Sequence, residues 1–343
     1  MQPIRVMIIL VFWVLNLQSA AANSADPLFQ DQSTLRVEIT APLGTLVRER
    51  SETEYLPGVF SFKDANGEPL ELDIQLRARG NFRHRNCDFP PVTLNFRKSQ
   101  VEGTLFDQQD KLKMVTRCKD TLQYEQSVVR EYLAYQLLNS VSDFGFRVRL
   151  LQVTWVDSDG RMGRMARSAF LIEHKNRLAD RIGMSPQEVA RVETGNIQPE
   201  QLNLASMFQY LIGNVDFSPI AGSTDECCHN YALFGKSTDS MVAIPFDFDL
   251  AGIVNAPYAA TNKELGVERL GQRAYRGYCV NNGYVAGSIS EFREARETLY
   301  ALVSDQKELE TSVRERITSY MDEFYDVIDD PQEVERKIAG NCR

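Results

Sequence analysis

The spacing of apolar residues changes between the first and second halves of this chain. In residues 70–77, Leu72, Ile74 and Leu76 alternate with polar side chains, which is the period of two expected of a half-buried β-strand. Helical spacing occupies three segments at the end of the chain: 288–300, 305–325 and 331–339. This change predicts an α+β protein with a β-rich first half and a largely helical second half.

The same patterns predict the remaining elements. We predict strands at 35–40, 59–62, 70–77, 90–96, 111–116, 148–156, 168–173, 231–234 and 241–245. We predict further helices at 124–139, 175–182 and 199–212. Residues 253–287 indicate a long irregular loop, which is uncommon unless it is functional or tied by disulfides.

The amino terminus has the features of a signal peptide of 25 residues. Arg5 supplies the positive charge, residues 6–17 form a short apolar core, and residues 18–25 offer small side chains for cleavage. No later segment approaches the roughly 20 apolar residues that a membrane span needs. We therefore expect an exported protein, periplasmic or secreted, with a β-rich part at 26–175 and a largely helical part at 176–343.

The composition is that of an ordinary globular protein, with 43% hydrophobic and 25% charged residues. A formal net charge of −9 argues against a general nucleic-acid binder, because nucleic-acid affinity depends on neutralising phosphates. Basic residues nevertheless cluster in the early strands: Arg77, Arg79, Arg83, His84, Arg85, Arg97 and Lys98. This cluster indicates either an anionic ligand or a solvated basic face.

The chain has six cysteines, and an even number in an exported protein favours disulfides over metal binding. The sequence alone does not choose among the pairings. Cys87 and Cys118 fall in the same β-rich region, so we expect them to pair. The adjacent cysteines at 227–228 could then reach Cys279 and Cys342, which would join the central loop to the end of the chain.

Acidic and amide side chains collect in residues 203–252. Asp216 follows a predicted helix, Asn230 opens a predicted strand, and Asp247 and Asp249 directly follow the next strand. Two acids at alternate positions repel each other unless a cation neutralises them. Carboxylate and amide oxygens beside phosphate oxygens suit a hard divalent cation such as magnesium. We therefore predict a metal–phosphate site here, in which Asp216 accepts a hydroxyl proton or orients a nucleophile.

A phosphate ligand also needs cationic side chains. Lys113 lies on a predicted strand and points away from its neighbours Leu112 and Met114. Glu125 or Glu131, on the next predicted helix, could orient this lysine through an ion pair.

Arg79, followed by Gly80 and Asn81, supplies a second cation on a predicted turn. Lys98 and Lys111 compete for the same role, so the cation that contacts phosphate stays open. The sequence has no Walker-type glycine loop, no G-x-G-x-x-G motif and no G-x-S-x-G hydrolase motif.

The chain resembles the CotH (spore-coat protein H) family of atypical secreted kinases. The matching motifs follow the family's order: the RGN turn at 79–81, the strand, Asp120 and helix within 112–138, the strand at 169–173, the N-x-D loop at 208–216, the N-Y-x-L-Y strand at 230–234 and the P-W-D-x-D element at 245–249. The resemblance covers roughly residues 70–252. It implies a two-lobed protein-kinase-like fold that binds ATP and magnesium between its lobes and phosphorylates protein hydroxyls.

The resemblance also implies roles for particular residues. Asp216 would be the acid of the catalytic loop. Asn230 and Asp247 would bind the metal, with Asp249 as a second metal ligand or a support. Glu173 would lie near the connection between the lobes.

Two departures from the family keep alternatives open. Asn95 stands where the family's strand usually carries a basic residue, and Phe246 stands where the family has tryptophan. A catalytically degraded, kinase-fold binding protein would keep the same residues. A metal-dependent hydrolase of phosphate esters could use the same acids without a nucleotide lysine.

Overall fold

The computed structural model describes residues 26–220 and 227–343. The predicted signal peptide, residues 1–25, therefore lies outside the described residues. Within the two described ranges, no helix is both long and apolar enough to cross a membrane.

A closed barrel of seven strands forms the first half of the structure. Its strands are β1 (Leu35–Ala41), β2 (Leu56–Lys63), β3 (Pro69–Ala78), β4 (Val92–Phe96), β5 (Lys111–Thr116), β6 (Val148–Asp157) and β7 (Met165–Ile172). Their order around the barrel is β1-β2-β3-β4-β5-β7-β6. Four helices lie between these strands in the chain: α1 (Leu43–Glu49), α2 (Phe82–Asn86), α3 (Lys98–Val101) and α4 (Leu122–Asn139).

The barrel contradicts the predicted two-lobed protein-kinase-like fold, although the predicted mixture of helices and strands is present. β1 runs parallel to β6, from Leu35 opposite Leu151 to Ala41 opposite Asp157, and this pairing closes the sheet. A closed barrel is not the amino-terminal lobe of a kinase-like fold. The sequence predicted both strands, but hydrophobic alternation gives the period of a strand and not the identity of its distant partner.

An apolar core fills the barrel. Phe106 lies 5.0 Å from the ring of Phe60, 5.1 Å from Phe62 and 4.9 Å from Phe96, and these four rings are buried. Aromatic rings at such distances add to the stabilisation that burial provides. The barrel is therefore a packed scaffold, and the residues that follow β3 or lie on the outside of β5 are held by it.

The long helix α4 connects the barrel to the helical half. Its residues from Gln126 to Leu138 are buried, because it packs against β6 and β7 and also against the carboxy-terminal helices. The remaining helices are α5 (Lys175–Ile182), α6 (Pro199–Ile212), α7 (Val285–Glu294), α8 (Arg296–Asp305), α9 (Thr311–Asp329) and α10 (Pro331–Lys337). The single helix predicted at 288–300 is thus two helices, which meet at Ala295.

A small antiparallel sheet packs beside α6 and carries the site described below. Its strands are β8 (Ser185–Gln187), β9 (Tyr231–Gly235) and β10 (Met241–Pro245), in the order β10-β9-β8. The strands predicted at 231–234 and 241–245 are confirmed. The sheet matters for function because the start of β9 and the end of β10 lie at the same edge.

The predicted disulfide between Cys87 and Cys118 is confirmed, with a Cα–Cα distance of 4.4 Å. The other expected pairings are wrong. Cys279 pairs with Cys342, at a Cα–Cα distance of 5.0 Å, and the adjacent cysteines at 227–228 pair with each other.

Candidate functional site

The ends of two paired strands place Asn230 and Asp247 side by side. Tyr231 of β9 is opposite Pro245 of β10, and the Phe246 N–H beyond this pair donates to the Asn230 carbonyl at 3.0 Å. Asn230 has φ 55° and Asp247 has φ 61°. This left-handed backbone costs free energy in residues other than glycine and is concentrated at functional sites.

Asp216 reaches the same place from the end of α6. Gly213 ends the helix at φ 65°, and Asn214 Oδ1 then accepts the Asp216 N–H at 3.0 Å. Asn230 Nδ2 donates to Asp216 Oδ2 at 3.0 Å, and His229 Nε2 lies 2.9 Å from Asp216 Oδ1. The side chains of Asp216 and His229 are 38% and 60% exposed, so this hydrogen-bonded group is open to a ligand.

Arg83 is a buried cation among the acidic residues and is only 9% exposed. Its guanidinium donates to Glu131 at 2.6 Å and to Asp249 at 3.0 Å, and it lies 3.7 Å from Asp247. Burial opposes the charge, but Glu131 and then Asp249 hold the pKa of Arg83 well above its usual value. The same burial raises the pKa of Glu131, and Arg83 opposes that rise. Arg83 therefore fixes Glu131 and Asp249 in place.

Asp249 is also held by Tyr258, whose hydroxyl donates to it at 3.0 Å. The Tyr258 ring lies 5.4 Å from the ring of Phe82 and 6.1 Å from that of Tyr124. Asp249 is 9% exposed and bonded on two sides. Of the two roles implied for Asp249, these contacts favour support over direct metal binding.

Asp247 is the most exposed acid of this cluster. About half of its side chain is exposed, at 51%. The surrounding burial, and then the Asp249 carboxylate, raise the pKa of Asp247, while Arg83 and Arg79 oppose the rise. Asp216 is close enough to contribute in the same direction as Asp249. A cation bound at Asp247 would relieve this repulsion.

Both cations predicted for phosphate contact lie near Asp247. Burial and then Arg79 lower the pKa of Lys113, and Asp247 opposes this change. Burial also lowers the pKa of Arg79, with Asp247 again acting in opposition. Lys113 Nζ lies 6.0 Å from the ring centroid of Phe246, and neither cation forms an ion pair within 4.0 Å among the described residues. The two charges therefore remain available to an anionic ligand.

Neither of the two glutamates predicted to orient Lys113 does so. Glu131 pairs with Arg83 instead. Glu125 lies 3.4 Å from Arg117 and accepts the Ser168 N–H.

Glu173 is also bound elsewhere. Its carboxylate lies 2.9 Å from Arg181 and accepts the Arg147 N–H at 3.0 Å. Glu125 and Glu173 therefore hold the barrel and its neighbours together, away from the acids of the site.

Sequence reasoning missed four residues of the site. Arg83 was only one of several basic residues, and nothing in a single sequence marks it as the one that becomes buried. His229 directly precedes Asn230, so the predicted start of the strand at Asn230 already indicated that His229 would lie near the site. Tyr135 and Tyr258 are distant in sequence, yet the Tyr135 hydroxyl accepts the Asp247 N–H at 2.9 Å.

A groove of 540 Å³ opens beside Asp216. It lies between Asp216 and Leu250 on one side and residues 260–264 on the other. An acceptor group in this groove would lie next to the exposed Asp216–His229 pair.

The residues at this site suit magnesium only together with phosphate oxygens. In the described parts of the chain, no three His, Cys, Asp or Glu side chains could hold a metal ion by themselves. The Asp247 carboxylate is exposed, and the amide oxygen of Asn230 accepts no hydrogen bond from the described residues. Magnesium commonly binds through one or two protein oxygens, water and substrate phosphates, so this donor set fits a magnesium–phosphate complex.

Comparison with protein-family models found no match, and comparison with curated proteins found no significant match. The resemblance to the CotH family therefore rests on the motifs quoted from the sequence. The function of the site must be inferred from its own geometry and chemistry.

Proposed function

We propose that this chain binds magnesium ATP and transfers the terminal phosphate to a hydroxyl group of a protein. The single observation that supports this most is the placement of Asp247. It is an exposed carboxylate with a raised pKa, next to Asn230 and beside Arg79 and Lys113, which form no ion pair with a described residue. Such a site combines one negative group for a metal with positive groups for phosphate oxygens.

Each residue then has a role that its contacts allow. Asp247 and the amide oxygen of Asn230 would hold magnesium, which would neutralise charge on the phosphate oxygens. Lys113 and Arg79 would contact the phosphate oxygens directly. Asp216 would accept the proton of the attacking hydroxyl, since its carboxylate is exposed and faces the groove.

Arg83 and Asp249 would keep the site in shape without contacting the reacting atoms. Their 3.0 Å ion pair fixes the segment that carries Asp247. Positioning of this kind matters because phosphoryl transfer depends on in-line alignment and charge stabilisation more than on covalent chemistry.

The predicted export of the chain remains part of the proposal. The three cysteine pairs of the structure are compatible with an oxidising compartment. The acceptor would then be another exported protein or the chain itself.

The test is magnesium-dependent phosphate incorporation from ATP by the purified mature protein, into itself and into added exported proteins. We expect Asp216→Ala to lower the rate by about 10²–10⁴-fold, because it removes the proton acceptor. Asp247→Ala should abolish magnesium-dependent ATP binding. Asp239→Ala is the matched control, because Asp239 is an exposed acid on the turn between β9 and β10.

Three results distinguish the proposal from its alternatives. Incorporation that is lost in both site variants and kept in the control supports it. ATP binding without transfer favours a catalytically degraded binding protein. Absence of magnesium-dependent ATP binding contradicts the proposal.

A phosphate-ester hydrolase is the second candidate, and the Asp216–His229 pair favours it. An exposed histidine 2.9 Å from a carboxylate can orient water or protonate a leaving group. Release of phosphate from a model ester, lost in His229→Gln while ATP binding is absent, would select this candidate.

A further inference from the structure

A second buried arginine lies on α4 next to Glu131. Arg130 is 7% exposed and lines a cleft of 1490 Å³ between α9 and the segment 252–275. Glu131 pairs with Arg83 on the side of the candidate functional site. The cleft at Arg130 is lined by a different set of residues from those described above.

Arg130 is hydrogen-bonded only to backbone oxygens among the described residues. Its Nε donates to the Gln126 carbonyl at 3.3 Å, and its Nη2 donates to the Asn255 carbonyl at 3.5 Å. Its Nη1 has no hydrogen-bond partner in the described parts of the chain, and no carboxylate there lies within ion-pair distance. A buried guanidinium without a carboxylate is costly, because burial removes the water that would stabilise its charge.

A second cation increases this cost. Arg316 on α9 lines the same cleft and forms no ion pair with a described residue. Burial, and then repulsion from Arg316, lower the pKa of Arg130 to about 10, and no acidic group contributes in the opposite direction.

Three of the other four cations that line the cleft are neutralised, whereas Arg269 forms no ion pair with a described residue. Arg273 lies 2.9 Å from Glu323. Arg336 and Lys337 lie 2.6 Å and 2.8 Å from Glu333.

Three further acids line the cleft without neutralising Arg130, and one of them, Asp330, accepts the Gln332 N–H at 2.8 Å. Glu315 is adjacent to Arg316 on the helix, and adjacent helical residues do not face each other. Asp326 lies about 15 Å further along the helix axis than Arg316. The positive charge near Arg130 is therefore local and uncompensated.

We infer that Arg130 and Arg316 form a binding site for a phosphate-type oxyanion. Arg130 on α4 and Arg316 on α9 both line this cleft. Arginine binds the oxygens of phosphate through parallel charge-assisted hydrogen bonds. The ligand is either free inorganic phosphate or a phosphate monoester carried by a larger molecule.

This inference does not depend on the proposed phosphoryl transfer. The two sites share α4 but use different side chains, so variants can separate them. Lys113→Met removes a cation of the candidate functional site and leaves Arg130 and Arg316 unchanged.

The test is calorimetric titration of the mature protein with inorganic phosphate, with chloride used to keep ionic strength constant. We expect saturable binding that Arg316→Gln weakens about tenfold, which corresponds to about 1.4 kcal/mol. Arg130→Met should weaken it at least as much. Arg336→Gln is the matched control, because it removes a cation from the same cleft that Glu333 already neutralises, and binding should change less than about twofold.

Phosphate binding by Lys113→Met and binding of phosphoserine are measured in the same way. Binding that persists in Lys113→Met supports the inference, and tighter binding of phosphoserine than of phosphate identifies the esterified ligand. Absence of phosphate binding overturns the inference, as does equal weakening by Arg316→Gln and Arg336→Gln. Binding that is lost in Lys113→Met and kept in Arg316→Gln also overturns it. If Arg130→Met does not fold, the exposed Arg316→Gln variant still decides the outcome.

Discussion

Two arginines of this protein are almost equally buried and have opposite surroundings. Arg83 is 9% exposed and Arg130 is 7% exposed. Arg83 lies within 4.0 Å of Glu131, Asp247 and Asp249, whereas the hydrogen bonds of Arg130 to described residues go only to backbone oxygens. Burial opposes both charges, but Glu131 and Asp249 raise the pKa of Arg83, whereas burial and repulsion from Arg316 lower the pKa of Arg130.

This difference separates a structural ion network from a site that lacks its counter-ion. The charge of Arg83 is neutralised within the fold, so removing Arg83 should harm the fold itself. The charge of Arg130 has no carboxylate partner among the described residues, so removing it should harm ligand binding and leave the fold intact.

The largest effect is expected for Arg83→Met. The substitution leaves Glu131 and Asp249 buried without a cation, which typically costs about 3–5 kcal/mol of unfolding free energy. Urea denaturation followed by circular dichroism measures this. A loss below about 1 kcal/mol would mean that Arg83 is not the partner of these acids.

A double variant tests directly whether Arg83 and Glu131 stabilise each other. Arg83→Met combined with Glu131→Gln removes both charges of the closest pair, so we expect it to be more stable than Arg83→Met alone by about 1–3 kcal/mol. The four proteins form a double-mutant cycle. An effect of Glu131→Gln on unfolding free energy that is the same with and without Arg83 would indicate that the two side chains do not interact.

The next largest effect on stability is expected for Asp247→Asn, and it depends on pH. A raised pKa in the folded state means that folding binds protons, so this group destabilises the fold as pH rises through its raised pKa. Asp247→Asn should therefore raise the thermal midpoint at neutral pH, by the equivalent of less than about 1 kcal/mol because the side chain is half exposed.

The pH-dependent part of the difference between Asp247→Asn and the unsubstituted protein should disappear below about pH 3, where the carboxyl is mostly protonated in both folded and unfolded states. Thermal unfolding at several pH values measures this. A stability difference that is independent of pH, or a lower midpoint at neutral pH, would contradict the raised pKa.

The smallest effect is expected for Arg130→Met without ligand. The substitution relieves an uncompensated buried charge and keeps most of the side-chain volume, so unfolding free energy should stay equal or rise by up to about 1 kcal/mol. Denaturation between about pH 6 and pH 9 should give a constant difference, since Arg130 stays charged throughout that range. A decrease in unfolding free energy as large as that expected for Arg83→Met would contradict the contrast between the two arginines.

The local elements of this fold could be predicted from the sequence, but their long-range arrangement could not. The strand predicted at 111–116 is β5 as Lys111–Thr116, because its alternation and its flanking turns are local signals. The closure of the barrel depends on β1 meeting β6, more than a hundred residues later. Nothing in the alternation of Leu35 or Leu151 encodes that contact.

The candidate site shows the same limit. Asp216, Asn230 and Asp247 were predicted together, because they lie close in sequence at the ends of one helix and two neighbouring strands. Arg83 was not predicted, because its role comes from burial between the barrel and α4. The predicted pairing of Lys113 with a glutamate was not found, since Arg83 occupies Glu131.

The most direct test of the proposed magnesium–ATP site is the shift in thermal midpoint on adding ATP, with magnesium and with a chelator. We expect a concentration-dependent rise with magnesium, as binding to the folded state requires, and a much smaller rise with chelator. The rise should be lost in Asp247→Asn and kept in Asp239→Asn. An equal rise in both variants, or none in the unsubstituted protein, would contradict a magnesium–nucleotide site at Asp247.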